Sequence, residues 1–305
     1  MSFIFIINAL EQTSTVLRIR GSDAYTYLQG QFTQDLSPGI GSAAYGLWLN
    51  QRGKVVADSF VLRRNDNDFI AACFSAGPER LRSRLEAYLI ADEVELTEET
   101  GEWARLSVWG EGVAEHVSGI FGPAPAAGRF SEGEAGVWFH GRNSAVENFE
   151  CLVARAALPA LAARLTTAGG QLVGADVAAR ERILAAIPAV PTDIGEGDLP
   201  NEGGLEASAI SYTKGCYLGQ EVMARLKNLG QVRRRLHVVR GPGATPTERQ
   251  PLFQGGRKVG EVRSVAPDGG GFVAMAMLSL VNLEPVAGLA TSAEGPPTLA
   301  IVSRV

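Results

Sequence analysis

Ser211-Tyr212-Thr213-Lys214-Gly215-Cys216-Tyr217-Leu218-Gly219-Gln220-Glu221 is the least ordinary stretch of this 305-residue chain. Two glycines bracket a cysteine, and a lysine stands two residues before it. Gly215 and Gly219 permit tight turns and close backbone approach. A cation at Lys214 favours the Cys216 thiolate, the form that attacks electrophiles and binds soft metals. The plainer alternative is a small, inert cysteine that packs like a hydrophobe.

Outward from this stretch the charge is uneven. Tyr212–Arg240 carries seven Lys/Arg against one Glu, in a chain of net charge −5. A local basic surface on an acidic protein suits one anionic ligand or partner and argues against general nucleic-acid binding. Hydrophobic residues make up 46% and charged residues 20%, enough to fill cores in two or three domains. No apolar run reaches the roughly 20 residues of a membrane helix. The opening Met1–Leu10 lacks a basic region and a small-residue cleavage site, so it reads as a first strand. Cys73, Cys151 and Cys216 form no CxxC pair and no disulfide framework, which fits a reducing cytoplasm.

Periodicity then divides the chain. Ser22 or Asp23 caps a helix through Leu28. Tyr45–Leu49 and Val55–Leu62 flank the turn-prone Asn50–Gly53 as a β-hairpin. Pro78–Leu89 is a helix, and the acidic Asp92–Glu102 a solvated face or loop. Arg105–Trp109, Val137–His140 and Phe149–Ala154 are strands. Leu158–Ala168 is a helix, and Asp176 caps another that runs to Ile187. Pro188–Gly204 is a long loop of the kind that often carries function. From Leu236 onward, short apolar runs between Gly and Pro predict a small all-β domain. The expected units are 1–102, 103–235 and 236–305.

Within these elements three polar residues fall on apolar faces. Asp58 shares a strand face with Val56, Phe60 and Leu62, so it is either paired or shifted in pKa, or the face is a wet edge. Arg180 shares a helix face with Val177, Leu184 and Ile187 and demands a carboxylate or a ligand. Glu150, on a face with Leu152 and Ala154, is a candidate partner for it. The three histidines, His116, His140 and His237, are isolated and suggest neither a metal site nor a triad.

Lys214-Gly215-Cys216-Tyr217-Leu218-Gly219-Gln220-Glu221 resembles the K-G-C-Y-x-G-Q-E signature of the YgfZ-type folate-binding proteins. Ile210–Thr213 and Val222–Arg225 extend the likeness, as do Asp193, Leu199-Pro200, Asn201-Glu202 and the N-terminal Leu28-Gln29-Gly30-Gln31. That family is related to the T-protein, the aminomethyltransferase of glycine cleavage. The resemblance implies an α+β, three-domain cloverleaf ring with a small C-terminal β-barrel and a channel for tetrahydrofolate. Gly53–Asp58 is similar to the T-protein's G-G-x-x-D-D strand, with Asp58 at the catalytic second Asp and Ala57 at the first. Glu150 matches the pterin-binding glutamate, and Arg180 the arginine of an A-R-D helix start.

The implied folate set is Asp58, Glu150 and Arg180, with Tyr217, Gln220, Glu221 and Arg225 around the cysteine motif. Cys216, Asp58 and Lys214 are the implied catalytic groups. Two departures favour the YgfZ-like branch over aminomethyl transfer. Gly141–Val146 replaces the T-protein's G-Y-T-G-E segment, and the T-protein lacks the cysteine motif. The implied role is support of iron–sulfur cluster assembly in client enzymes, including tRNA-modifying ones; the alternatives are a folate-dependent aminomethyltransferase or a scaffold with an inert Cys216. Three scattered thiols do not supply the four ligands of an ordinary cluster, so client or assembly proteins are the expected partners beside folate, with no direct membrane contact.

Overall fold

The computed structural model describes residues 5–10 and 15–305. After β1 (Phe5–Leu10) come β2 (Thr15–Arg20), α1 (Ala24–Gln31), β3 (Ala43–Leu49), β4 (Val55–Asn65), β5 (Asp68–Cys73), α2 (Pro78–Glu86) and β6 (Glu95–Glu98). Strands β2 to β6 make an antiparallel sheet in the order β3-β4-β5-β2-β6. The expected hairpin forms, with Gly53 at φ +68° in its turn. A Cβ there would lie 2.8 Å from Val222 Cβ, so this turn tolerates only glycine. Asp23 precedes α1 but does not cap it; its carboxylate accepts the Glu93 N–H at 2.8 Å instead. The acidic stretch is not all loop. It contains the edge strand β6, where half-buried Leu96 packs on the core and the flanking charges blunt the edge.

Next come β7 (Trp103–Trp109), α3 (Val113–Phe121), β8 (Phe130–Gly133), β9 (Gly136–His140), β10 (Asn148–Ala154), α4 (Leu158–Thr167) and β11 (Gly170–Leu172). Their sheet runs β11-β1-β7-β10-β9-β8. The opening strand β1 therefore belongs here, parallel to β11 and antiparallel to β7, and not with the residues that follow it. Ile7, fully buried in this second core, is the anchor.

Both sheets alternate their side chains with period two, and both faces of each are apolar. Phe60, Leu62, Ile70 and Ala72 of the first meet Val137, Phe139 and Leu152 of the second. The intervening residues, such as Val61, Phe69, Cys151 and Val153, point outward beneath helices: α1 and α2 on one side, α3 and α4 on the other. The result is a helix–sheet–sheet–helix stack. Asp58 has the parity of Phe60, and Glu150 that of Leu152, so both carboxylates point between the sheets.

The chain continues through α5 (Ala175–Leu184), α6 (Glu206–Ala209) and α7 (Gln220–Leu229) to β12 (Arg234–Pro242), β13 (Pro251–Gln254), β14 (Arg257–Asp268), β15 (Gly271–Ser279) and β16 (Ala300–Arg304). The C-terminal strands pair as β13-β14-β15-β12-β16. Among the described residues this ladder does not close into the expected barrel. Two isolated bridges, Phe253↔Ala290 and Leu289↔Leu299, span the gap, because the Pro- and Gly-rich segment there sustains no strand.

One core joins the units. Leu47, Leu49 and Val55 of the hairpin meet Ile183 of α5, Met223 of α7 and Leu236, Val238 and Met275 of the last sheet. The loop 188–204 is fixed by buried acids: Asp193 accepts Arg182 Nη1 at 2.8 Å and the Ser264 N–H at 2.9 Å, and Asp198 pairs with Arg234 and Arg263. Leu47→Ala should cost about 2–5 kcal/mol by opening this shared core, read as a lower urea midpoint. The exposed Ile40→Ala should shift it by less than about 0.5 kcal/mol.

Candidate functional site

A cavity of about 240 Å³ lies where the hairpin, β7 and α5 meet. That is a little under the roughly 300 Å³ at the lower end of ligand sites, the scale of a flat bicyclic head group. Tyr45, Asp58 and Phe60 enter from the hairpin, Arg105 and Ser107 from β7, and Arg142 and Asn143 from the segment after β9. Phe74, α5 through Ala178, Ala179 and Arg182, and the segment 187–189 add to the wall.

Asp58 stands half-buried at this wall, and its Oδ2 accepts the Tyr45 hydroxyl at 2.8 Å. Desolvation raises its pKa, only partly offset by that hydrogen bond and by the charge of Arg142. The Arg142 guanidinium lies 3.7 Å from the Tyr45 ring centroid, and that of Arg105 3.9 Å from the Phe74 ring. Arg142 is in no ion pair among the described residues; its other contact is Ser208 Oγ at 3.5 Å.

Glu150 is inward and 1% exposed, as its pattern predicts, but its partner differs from the expected one. Oε2 accepts Arg105 Nε at 2.5 Å and Ser107 Oγ at 2.7 Å; Oε1 accepts Arg105 Nη2 at 2.9 Å and the Asn143 amide. Ser107 is directly opposite Glu150 across β7 and β10, and Arg105 is its diagonal neighbour. The proposed Glu150–Arg180 pair is therefore absent. Arg180 Nε bonds Asp268 at 2.7 Å, its side chain is 39% exposed, and it does not line the cavity. The helix face was misassigned: Val177 and Leu184 are exposed, while Ile183 is buried and Ala178, Ala179 and Arg182 face the cavity. Arg182, not Arg180, is the inward cation, committed to Asp193, the Ile187 carbonyl and Ser264.

The cysteine motif sits elsewhere. Gly219, at φ +85°, brings its backbone onto the hairpin turn, where a Cβ would lie 3.0 Å from the Asn50 carbonyl oxygen. The Leu218 N–H donates to the Gly30 carbonyl at 3.1 Å. Lys214 is turned away from the thiol role expected of it. Its ammonium donates to Gln29 Oε1 in the last turn of α1 and to the Phe32 and Gln34 carbonyls just beyond it, all at 2.8–2.9 Å. Burial brings its pKa down to about 8, partly countered by Asp35. Cys216 itself is exposed, whereas burial pushes the Cys73 and Cys151 thiols well up.

Tyr217 is buried in the shared core. Gln220 and the exposed Glu221 form the first turn of α7, where a negative charge suits the helix dipole, and Arg225 is exposed one turn on. None of Cys216, Tyr217, Gln220, Glu221 and Arg225 lines the cavity. Among the described residues no group of three His, Cys, Asp or Glu is placed to hold a metal ion, and no helix is long and apolar enough to cross a membrane.

The site thus has two parts, a polar cavity between sheets and an exposed thiol on a pinned loop. The GCVT N-terminal domain matches residues 11–157, and the CAF17 C-terminal beta-barrel domain residues 233–300. The mouse mitochondrial iron–sulfur cluster assembly factor IBA57 is 30% identical over 285 residues, 86% of this chain and 75% of its own. The chain belongs to the YgfZ/IBA57-type, GcvT-like family. A mitochondrial IBA57 homolog of Cryptococcus neoformans is 28% identical over 74% of this chain, yet this covers only 64% of that protein's length. The tRNA-modifying protein YgfZ of Edwardsiella ictaluri is 27% identical, over 74% of this chain and 68% of its own. The fold is that of the glycine-cleavage aminomethyltransferase T of Bartonella henselae, with a TM-score of 0.84 over 99% of this chain and 86% of that one at 17% identity.

In this YgfZ/IBA57-type chain, Tyr45, Arg105, Arg142, Asn143 and Arg182 are cavity residues that sequence reasoning missed. Arg105, charged at the start of an apolar strand, gave the one available signal. Arg142 and Asn143 lie in the very segment that replaces G-Y-T-G-E.

Because folded Asp58 holds its proton more tightly than the unfolded chain does, its contribution to stability falls as pH rises from the ordinary 3.8 through the raised value. Asp58→Asn should therefore match or exceed the parent's Tm at pH 7 and lose that advantage near pH 4, measured by calorimetry. A thiol reagent should label Cys216 alone in the native protein and all three cysteines after unfolding, with native labelling abolished in Cys216→Ser.

Proposed function

We propose that this chain binds a reduced folate in the inter-sheet cavity and supports iron–sulfur cluster assembly or repair in client enzymes, tRNA-modifying ones included, through Cys216. The observation that carries the folate reading is Asp58, a desolvated carboxyl with one oxygen free of other side chains, set beside the aromatic walls of Phe60 and Phe74. A flat, hydrogen-bonding pterin suits such a slot, with Asn143 and Arg142 as further polar contacts. Bound tetrahydrofolate would supply a one-carbon acceptor. The chain's own residues orient the ring and shield it from water.

The cluster reading rests on the exposed Cys216 and on what the relatives' names state. One thiolate cannot complete a cluster, so any cluster contact is shared with a partner. Gln220, Glu221 and Arg225, beside the thiol on α7, belong to that partner-facing side, while Arg180 and Tyr217 serve as structural supports. Free thiols keep the cytoplasm as the proposed compartment, although the IBA57 relatives are named mitochondrial. Asp58 also keeps one second reading open, a folate-dependent aminomethyltransferase with this acid as proton acceptor.

Calorimetric titration with tetrahydrofolate should show one site, lost in Ala178→Trp, which fills the cavity. Cys216→Ser should bind folate normally and fail to restore cluster-dependent enzymes in cells lacking the native protein. Full restoration would remove the thiol role. Methylene-tetrahydrofolate formation from an aminomethyl-lipoyl carrier would favour the transferase.

A further inference from the structure

The two inward carboxylates are not equivalent. A carboxylate offers about four lone-pair positions, and Glu150 has four donors: both nitrogens of the Arg105 fork, Ser107 and Asn143. A ligand could bind Glu150 only by displacing that fork and leaving a buried guanidinium unpaired. Asp58 accepts one side-chain bond, from Tyr45. On the same tyrosine ring lies Arg142, which is in no ion pair among the described residues, whereas Arg105 and Arg182 are both ion-paired. Tyr45 thus holds an acceptor at its hydroxyl and a donor fork against its face.

That pairing complements a planar edge carrying N–H donors beside a carbonyl, the 2-amino-4-oxo edge of a pteridine. The geometry points to Asp58, not Glu150, as the carboxylate that reads the ligand's N–H edge, and to Arg142 as the residue that selects a 4-oxo over a 4-amino ring. This rests on the folate reading above and sharpens it. Arginine only donates, so a 4-amino group facing Arg142 sets donor against donor. Glu150 then acts as a positioning residue for Arg105 and Asn143.

The test is a fluorescence titration with folic acid and its 4-amino analogue, aminopterin, which differ at the 4-position and in the N3–H that the 4-oxo ring carries and the 4-amino ring lacks. Wild type should bind folic acid at least about ten-fold more tightly, the scale of one charge-assisted hydrogen bond. Arg142→Met should reduce that preference by about ten-fold, leaving only what Asp58 takes from N3–H. Asp58→Asn should weaken both ligands by about ten-fold or more. Glu150→Gln should lower the Tm and weaken folic acid less than Asp58→Asn does; if it does not fold, the ligand preference and its reduction in Arg142→Met decide alone. Equal binding of the two ligands by wild type overturns the selectivity. A folded Glu150→Gln that loses binding while Asp58→Asn retains it overturns the assignment. Failure of wild type to bind any pteridine, tetrahydrofolate included, removes the folate reading itself and this inference with it.

Discussion

The arrangement depends on one apolar core shared by three parts of the chain. Leu47, Leu49 and Val55 of the first hairpin are fully buried against α5, α7 and the C-terminal sheet. Each such side chain contributes roughly 1.5–3 kcal/mol when removed from water, so the hairpin's position is strongly determined. The same face of these strands carries Tyr45, opposite Phe60, and Asp58, opposite Leu47, on to the cavity. Gly53, in the turn between them, receives α7 and the loop with Cys216. A single rigid hairpin thereby sets the cavity wall and the seat of the thiol.

Charge is distributed on that frame with little left uncommitted in the cavity. The Glu150–Arg105 and Asp193–Arg182 pairs bury ions that each need the other. Such pairs add little net stability compared with apolar packing, but breaking one is costly. Their effect is to hold Arg105, Ser107 and Asn143 in place and to seal the loop 188–204 onto the last sheet. Asp58 and Arg142 remain available to a ligand. Lys214, by contrast, is consumed in anchoring its loop, on which Cys216 stands exposed.

Much of this was legible from the residues. Strand alternation placed Asp58 and Glu150 inward correctly, because a period of two on strands flanked by large apolar residues leaves little ambiguity. The hairpin and Gly219 were equally readable, since positive φ and close approach leave a direct mark on residue type; Gly215 shows neither. The errors lie where sequence carries no local trace. On α5 the inward face is made of alanines, while the larger Val177 and Leu184 point to solvent, so the apolar stripe indicated the wrong side and chose Arg180 over Arg182. The partner of Glu150 is a diagonal cross-strand neighbour 45 residues away, visible only once the register of β7 and β10 is known. The insertion of β1 beside β7, and the bridging of the last sheet's edges by single residue pairs, are likewise long-range pairings.

The most direct test is a crystal structure of the protein with tetrahydrofolate. The account predicts pterin density between Asp58 and Arg142, with the Glu150–Arg105 pair intact and Cys216 outside the ligand's reach. A pterin bound to Glu150 with Arg105 displaced, or an empty cavity under saturating ligand, would contradict it.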